Sequence, residues 1–206
     1  DKLYALNDPR LPVYANKPTD AAVTNYVGVP SGLTNSDANN LGFAKTSKPG
    51  SYFSTAQTPA VITSYAEVLF GRAEAAARGF TTENASNLYE AAVKASLNQF
   101  GITDAAVINN YLGQASVKYD AANFKKSIGE QKWIALFGQG LEAFAEWRRL
   151  DYPQLTPAVA GELDKKIPVR FIYPGSEQAL NGDSYKLAIV NQGTDNLLTK
   201  LWFDKY

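Results

Sequence analysis

The sequence predicts a mainly α-helical fold built from helical hairpins, with long ordered loops and at most a short strand pair. Three observations predict it. Proline is absent from residues 60–152, whereas six of the ten prolines lie within residues 1–59 and the other four between 153 and 174. Because proline breaks helix interiors, the proline-free middle is where helices can run. Within that stretch apolar residues recur with the 3.6-residue helical period, and Gly79 and Gly101 stand where the first two periodic runs stop. At 206 residues the chain is long enough for one large domain or two small ones.

Residues 1–59 combine Pro9, Pro12, Pro18, Pro30, Pro49 and Pro59 with a dense Asn/Ser/Thr/Gly background. Six aromatics (Tyr4, Tyr14, Tyr26, Phe43, Tyr52 and Phe53) favour order, since disordered segments are poor in aromatics. The segment therefore reads as loop-rich, packing on the helices and forming the ligand face. Residues 60–152 form the hairpin core. Residues 60–78 place Tyr65, Val68, Leu69, Ala73 and Ala76 on one face, and residues 83–99 do the same with Leu88, Ala91, Ala92 and Ala95. A third helix starts at the cap candidate Thr103 or Asp104 and is expected to bury Val107, Ile108, Tyr111 and Leu112. A fourth, about 122–137, carries Phe124, Ile128, Trp133, Leu136 and Phe137; after Gly138 and Gly140 it resumes over Leu141–Leu150 with a kink. Alanines across 66–95 allow two helices to approach closely. Ala85, Tyr89 and Ala92, set against Leu69, Ala73 and Ala76, follow the small-and-large layering of a tetratricopeptide hairpin, though one partial copy falls short of an array. From 153 to 206 the chain reads as an extended segment, Ile167–Pro174 suiting a short edge strand, and a C-terminal plug around Leu201-Trp202-Phe203. All three parts are read as one domain of a longer protein.

Composition excludes several function classes. The chain has no Cys, His or Met. Disulfides, thiol chemistry, imidazole bases, His-ligated zinc and Ser-His-Asp hydrolysis are therefore closed to it. Lys plus Arg equals Asp plus Glu, 20 against 20, and no basic block stands out, which argues against nucleic acid and anionic lipid as partners. No apolar stretch is long enough for a membrane span, and no signal peptide opens the chain. Without a Met, Asp1 is not expected to be a translational start; a processed chain or a piece of something longer is expected. Asn, Ser, Thr and Gln make up nearly a quarter of the residues. That wealth of neutral hydrogen-bonding groups, beside aromatics, suits uncharged polar ligands such as sugars.

Local motifs mostly have structural explanations. Gly138-Gln139-Gly140-Leu141-Glu142-Ala143 spells G-x-G-x-x-A, with Glu162 or Asp164 about 20 residues on, as in a dinucleotide fingerprint. The run before it is helical and no strand precedes the acid, so a helix kink explains it better. Glu142 and Glu146 stand one helical turn apart, but Glu146 and Arg149 make an ordinary i, i+3 ion pair, and glycosidase carboxylates normally come from different elements. No catalytic residue is expected. Thr34-Asn35-Ser36-Asp37-Ala38-Asn39-Asn40 offers oxygen ligands for Ca²⁺ but lacks the glycine and closing Glu of an EF-hand loop, so turn chemistry accounts for it. No metal and no cofactor is expected. The candidate ligand residues are Asn25, Tyr26, Tyr52 and Phe53, aromatics next to amides or hydroxyls in polar loops. Sugar C–H faces stack on aromatic rings, and sugar hydroxyls need placed hydrogen-bond partners.

Several segments, in order along the chain, resemble the SusD/RagB family of outer-membrane nutrient-binding lipoproteins. Glu67-Val68-Leu69-Phe70 through Arg72-Ala73-Glu74-Ala75 resembles its E-x-x-F-x-x-A-E-A helix. Leu88-Tyr89-Glu90-Ala91-Ala92-Val93, Gln131-Lys132-Trp133-Ile134-Ala135-Leu136, Trp147-Arg148-Arg149, Ile167-Pro168-Val169-Arg170 and Thr199-Lys200-Leu201-Trp202 continue the agreement. Asp8-Pro9-Arg10-Leu11-Pro12 and Tyr26-Val27-Gly28-Val29-Pro30 look like the branch described as starch-binding. The resemblance covers nearly the whole chain and matches the family's C-terminal portion. It implies tetratricopeptide-like hairpins with long loops forming a shallow glycan site, and a binder with no catalysis. It also implies an outward-facing position at the outer membrane, lipid-anchored through an N-terminal part absent from this chain. The implied partners are an oligosaccharide and a SusC-like TonB-dependent transporter. The shared motifs are structural, so the resemblance transfers no ligand residue. Alternatives on the same fold are a binder of peptide or another nutrient, or a helical-repeat protein-interaction module.

Overall fold

A computed structural model describes residues 2–204. The chain forms two compact units: residues up to Val29 together with Ser36–Leu155, and Pro30–Asn35 together with the chain from Thr156 onward. In chain order the elements are α1 (Lys2–Ala5), α2 (Leu11–Tyr14), β1 (Ala15–Asn16), α3 (Asn35–Leu41), β2 (Lys48–Pro49), α4 (Tyr65–Ala77), α5 (Ala85–Gln99), α6 (Ala105–Gly113), α7 (Phe124–Ala135), α8 (Gly140–Leu150), α9 (Gly175–Leu180) and α10 (Gly182–Gln192). The fold is mainly α, as expected. Its two strands pair antiparallel, Ala15 opposite Pro49 and Asn16 opposite Lys48. Among the described residues no helix is long and apolar enough to cross a membrane.

In the larger unit each central helix has a local reason to start and stop. Ser64 and Glu67 form a reciprocal capping box at the head of α4. Gly79, at φ +75°, closes it, with the Phe80 N–H reaching back to the Ala75 carbonyl. Asn84 caps α5, and Gly101 at φ +81° ends it. Of the two cap candidates for α6, Asp104 fills the role, accepting from the N–H groups of Ala106 and Val107 at 2.7 and 3.1 Å. The expected kink at Gly138 is a full break: the left-handed glycine separates α7 from α8.

α4 and α5 make the hairpin, and α7 packs on α4 and α8. The core holds Phe70, Tyr89, Val93, Leu97, Ile128, Ile134 and Leu150, each almost fully buried. Burial of each such side chain contributes about 1.5–3 kcal/mol. The buried faces differ from those read in the sequence. Tyr65 (70% exposed) and Val68 (48%) point outward, and α4 instead buries Ala66, Leu69, Phe70, Ala73 and Glu74. On α5 Ala92 is buried as expected, but Ala91 is exposed and the core takes Tyr89, Val93, Ser96 and Leu97. Both helices carry apolar residues around most of their girth, so periodicity leaves the phase of the buried stripe open. Contact with neighbouring helices selects it. Likewise Ile108 and Tyr111 of α6 are buried while Val107 is exposed.

A charged network sets the loop-rich segment onto the helices. Arg10 is fully buried. Its guanidinium donates to Asp8 through Nε (2.9 Å) and Nη2 (2.7 Å), to Ser96 Oγ of α5 (2.9 Å), to Tyr111 Oη of α6 (3.1 Å) and to Gln131 Oε1 of α7 (2.8 Å). Tyr111 in turn donates to Asp8 Oδ2 at 2.6 Å. Burial alone would lower the Arg10 pKa; Asp8 outweighs it and raises it. Tyr14 adds a further tie, donating to the Ile134 carbonyl at 3.0 Å. A second network joins α4 to α8: Glu74 accepts from Arg149 Nη2 at 2.5 Å and from Arg78 Nε at 2.8 Å. Burial would raise the Glu74 pKa, and the two arginines together bring it below the ordinary carboxylate value.

Gly50 passes close under α2. A Cβ placed there would stand 1.9 Å from the Val13 carbonyl oxygen, and the Gly50 N–H donates to the Tyr14 carbonyl at 2.9 Å. Gly50→Ala is therefore expected to destabilise by about 1–3 kcal/mol through overpacking against backbone. The midpoint of urea unfolding, monitored by circular dichroism, checks this; an unchanged midpoint would mean that the approach is not needed for folding.

In the smaller unit, the backbone N–H groups of Val159 and Ala160 donate to the carbonyls of Ser31 and Gly32 at 3.0 and 2.9 Å. Ile167–Pro174 is extended but pairs in no sheet; the Val169 N–H donates to the Leu197 carbonyl at 2.8 Å. Arg170 pairs with Asp195 at 2.9 Å, and Asp195 also accepts from Tyr185 Oη at 3.2 Å. The helices α9 and α10 were not read in the sequence, because their apolar residues mark no buried stripe and none of their residues is buried. Of the expected C-terminal plug, Leu201 and Phe203 are half-buried and Trp202 is exposed. Lys205 and Tyr206 lie outside the described residues.

Candidate functional site

β2 runs directly into a single 3-10 turn, Ser51–Phe53, which presents Tyr52 and Phe53 to the helix ends. Their rings stand 4.9 Å apart, edge to face. Tyr52 meets Phe100 at 5.3 Å, Phe53 meets Phe137 at 5.0 Å, and Phe137 stacks on Tyr14 at 4.3 Å with 8° between the planes. Such edge-to-face and stacked pairs follow the ring quadrupole and hold each ring in a fixed orientation.

The rings of Tyr52, Phe53, Phe100 and Phe137 line one wall of a cavity of about 380 Å³, within the range of small-molecule sites. Thr58, Gln99 and Gln139 add polar groups, and among the described residues no charged side chain lines it. Thr58 Oγ1 is engaged with the Tyr52 carbonyl at 2.8 Å. Among the described residues, neither the Gln99 nor the Gln139 amide side chain has a hydrogen-bond partner. The cavity thus offers flat apolar faces, two free amides and no net charge.

Of the four candidate residues, Tyr52 and Phe53 are brought together on this wall. Asn25 and Tyr26 do not line it: Asn25 is exposed, and Tyr26 is half-buried with the Lys17 ammonium 5.9 Å from its ring centre. Sequence reading missed Gln99, Phe100, Phe137 and Gln139. Gln99 and Phe100 close α5, Phe137 follows the end of α7 and Gln139 precedes α8, where no local pattern separates a cavity wall from an ordinary helix terminus.

A second hollow, about 340 Å³, lies between α7 and α8 and is lined by Trp133, Phe137, Phe144, Trp147 and Leu155 among others. Its lining is almost wholly apolar, and the Trp147 indole N–H is already donated to the Pro153 carbonyl at 3.1 Å. It has little with which to satisfy sugar hydroxyls. The carboxylates weighed for catalysis are placed otherwise: Glu146 accepts from Lys132 at 3.0 Å and from Arg149 at 2.6 Å, and Glu142 is exposed. Residues 34–40, weighed as a Ca²⁺ loop, fall from Asn35 onward within the helix α3. Among the described residues no group of three or more acidic side chains could hold a metal ion.

The sequence model of a SusD-like family, described as starch-binding and associating with the outer membrane, matches residues 1–174. This chain belongs to that family. A chitin-binding protein of known structure is similar to the SusD-like chain with a TM-score of 0.84 and 27% identity, over 100% of this chain and 49% of its own. A SusD homologue from Bacteroides vulgatus gives 0.80 and 29%, over 99% and 48%. A chitin-binding SusD homologue from Flavobacterium johnsoniae gives 0.81 and 28%, over 98% and 47%. The SusD-like chain thus spans about half the length of these structures. No curated protein matches it. The residues that carried the resemblance lie in the scaffold: Arg10, Asp8 and Gln131 in one buried network, Glu74 and Arg149 in the other.

Proposed function

We propose that this chain is the ligand-holding part of a SusD-like protein that captures a neutral oligosaccharide at the cell surface and delivers it to a SusC-like TonB-dependent transporter. The observation that carries the reading is the uncharged cavity with Tyr52 and Phe53 on its wall and the unengaged amides of Gln99 and Gln139 beside them. Stacking on a ring face takes the apolar side of a sugar, and the amides take its hydroxyls. The chitin-binding relatives support a glycan as the ligand class. Binding, with no turnover, is the proposed activity, since Glu146 is committed to two cations. On this reading the protein faces outward at the outer membrane, lipid-anchored through an N-terminal part, and Asn25 and Tyr26 contact the outer residues of a longer oligosaccharide.

The test is isothermal calorimetry with a panel of neutral oligosaccharides, chito-oligosaccharides and malto-oligosaccharides included. Saturable heat with one class is expected. Gln139→Ala should weaken that binding by about fivefold, from one lost hydrogen bond of about 1 kcal/mol. Tyr52→Ala should weaken it at least as much. Heat that continues after every injection would mean turnover. Unchanged affinity in both variants would place the ligand elsewhere.

A further inference from the structure

A third cavity, of about 350 Å³, opens beside the loop between α6 and α7, on a different set of residues from the aromatic site. Its floor is formed by Tyr89, Glu130 and Gln131, all buried. These floor groups are already engaged. Tyr89 donates to the Val117 carbonyl, Gln131 bonds both Arg10 and Tyr111, and Glu130 pairs with Lys2 at 2.7 Å. Asp120 is also committed: it accepts from the Ala122 N–H at 2.9 Å and from Asn123 Nδ2 at 2.7 Å. The rim is different. Among the described residues, Lys118 and Lys126 form no ion pair, although, after the Asn123 hydrogen bond, the Lys126 charge helps hold the Asp120 carboxyl below its ordinary pKa, and the hydroxyls of Ser116 and Tyr152 form no hydrogen bond.

The carboxylates of the cavity therefore have hydrogen-bond partners, while neither of its ammoniums is held in an ion pair and two of its hydroxyls are free; with Glu130 balanced by Lys2 and Asp120 under the influence of Lys126, Lys118 leaves the cavity one positive charge in excess. Every ammonium is a donor only, and a hydroxyl can donate as well as accept. A ligand that satisfies this rim must present acceptor oxygens and negative charge to the lysines, and hydroxyl groups to Ser116 and Tyr152. We propose that this cavity is a second ligand site, selective for a carboxylate-bearing sugar, a uronic acid by class. The two sites then divide the labour by charge: the aromatic cavity takes uncharged rings, and the lysine-rimmed cavity takes an acidic residue. This inference does not depend on the neutral-glycan reading of the aromatic cavity.

The probe is galacturonic acid, titrated into the protein by calorimetry or followed by ligand-observed NMR, with galactose and inorganic sulfate as controls. Saturable binding of galacturonic acid is expected. It should weaken by about tenfold in the Lys118→Ala, Lys126→Ala double variant, as for the loss of about 1.4 kcal/mol, and weaken with rising salt. Both lysines are exposed, so the variant should keep the wild-type unfolding midpoint. Tyr152→Phe should weaken binding further, and Gln139→Ala should leave it unchanged. Absence of binding, equal binding of galactose, or full affinity in the double variant would overturn the proposal. Sulfate binding as tightly as galacturonic acid would also overturn it, leaving an adventitious ion only. Loss of neutral-glycan binding alone would count against the aromatic site and leave this one standing.

Discussion

Arg10→Met is expected to destabilise the protein by about 3–5 kcal/mol, a large share of the stability of an ordinary domain. The change removes the only cation paired with Asp8 among the described residues and leaves that carboxylate buried, with the Tyr111 hydroxyl and the residue-10 backbone N–H still donating to it. It also strands acceptors on Ser96 and Gln131. Urea unfolding measured by circular dichroism reads the loss. The double variant Asp8→Asn, Arg10→Met should recover much of it, because most of the cost lies in the uncompensated charge and the two sites are directly coupled. A single variant within about 1 kcal/mol of wild type would mean that packing alone, without this network, holds residues 2–14 on the helices.

The second large effect is alkaline unfolding. Tyr14, Tyr89 and Tyr111 are each about 1% exposed, and each donates its phenolic proton to a buried acceptor. Burial pushes all three pKa values above the ordinary phenol value; for Tyr14 and Tyr111, Arg10 offsets only part of this. In the unfolded chain these phenols lose their protons near pH 10, while in the folded protein they keep them to higher pH. Above that point the unfolded state binds fewer protons than the folded state, so stability falls as pH rises. It is fully present below about pH 10 and declines by about 1.4 kcal/mol per unit for each phenol, or about 4 for the three. Tyrosinate absorbance followed together with helical circular dichroism checks this. Three of the twelve tyrosines should ionise only as helix is lost. Normal ionisation of all twelve with the helices intact would refute it.

Both predictions concern residues whose role sequence patterning does not show. Arg10 sits in a Pro-bracketed loop segment, Asp8-Pro9-Arg10-Leu11-Pro12, and an arginine there reads as solvent-exposed. It is buried because α5, α6 and α7 each bring one polar side chain to the same point, from positions 86, 101 and 121 residues away. Glu146 was the opposite case. Its pairing with Arg149 was legible because both lie on one helical turn, where spacing alone sets proximity. Lys132, its other partner, comes from α7 and was not legible. The candidate site divides in the same way. Tyr52 and Phe53 stood out as neighbouring aromatics in a polar loop, while Gln99, Phe137 and Gln139 have no local signature and join them only through the fold.

By itself, then, the sequence determined what depends on neighbours along the chain. Proline and glycine placement set where helices begin and end, as Gly79, Gly101 and Asp104 do. Periodicity set the mainly helical class, zero His and Cys closed off whole chemistries, and collinear motifs pointed to the family. The tertiary structure alone decided which stripe of α4 and α5 is buried, that Arg10 is an internal ion, and which helix ends enclose a cavity. The physical reason is range. Caps, turns and helical spacing act over three or four residues, so a linear reading can follow them. Burial, charge pairing and cavity walls depend on groups far apart in sequence, which meet only when the helices pack.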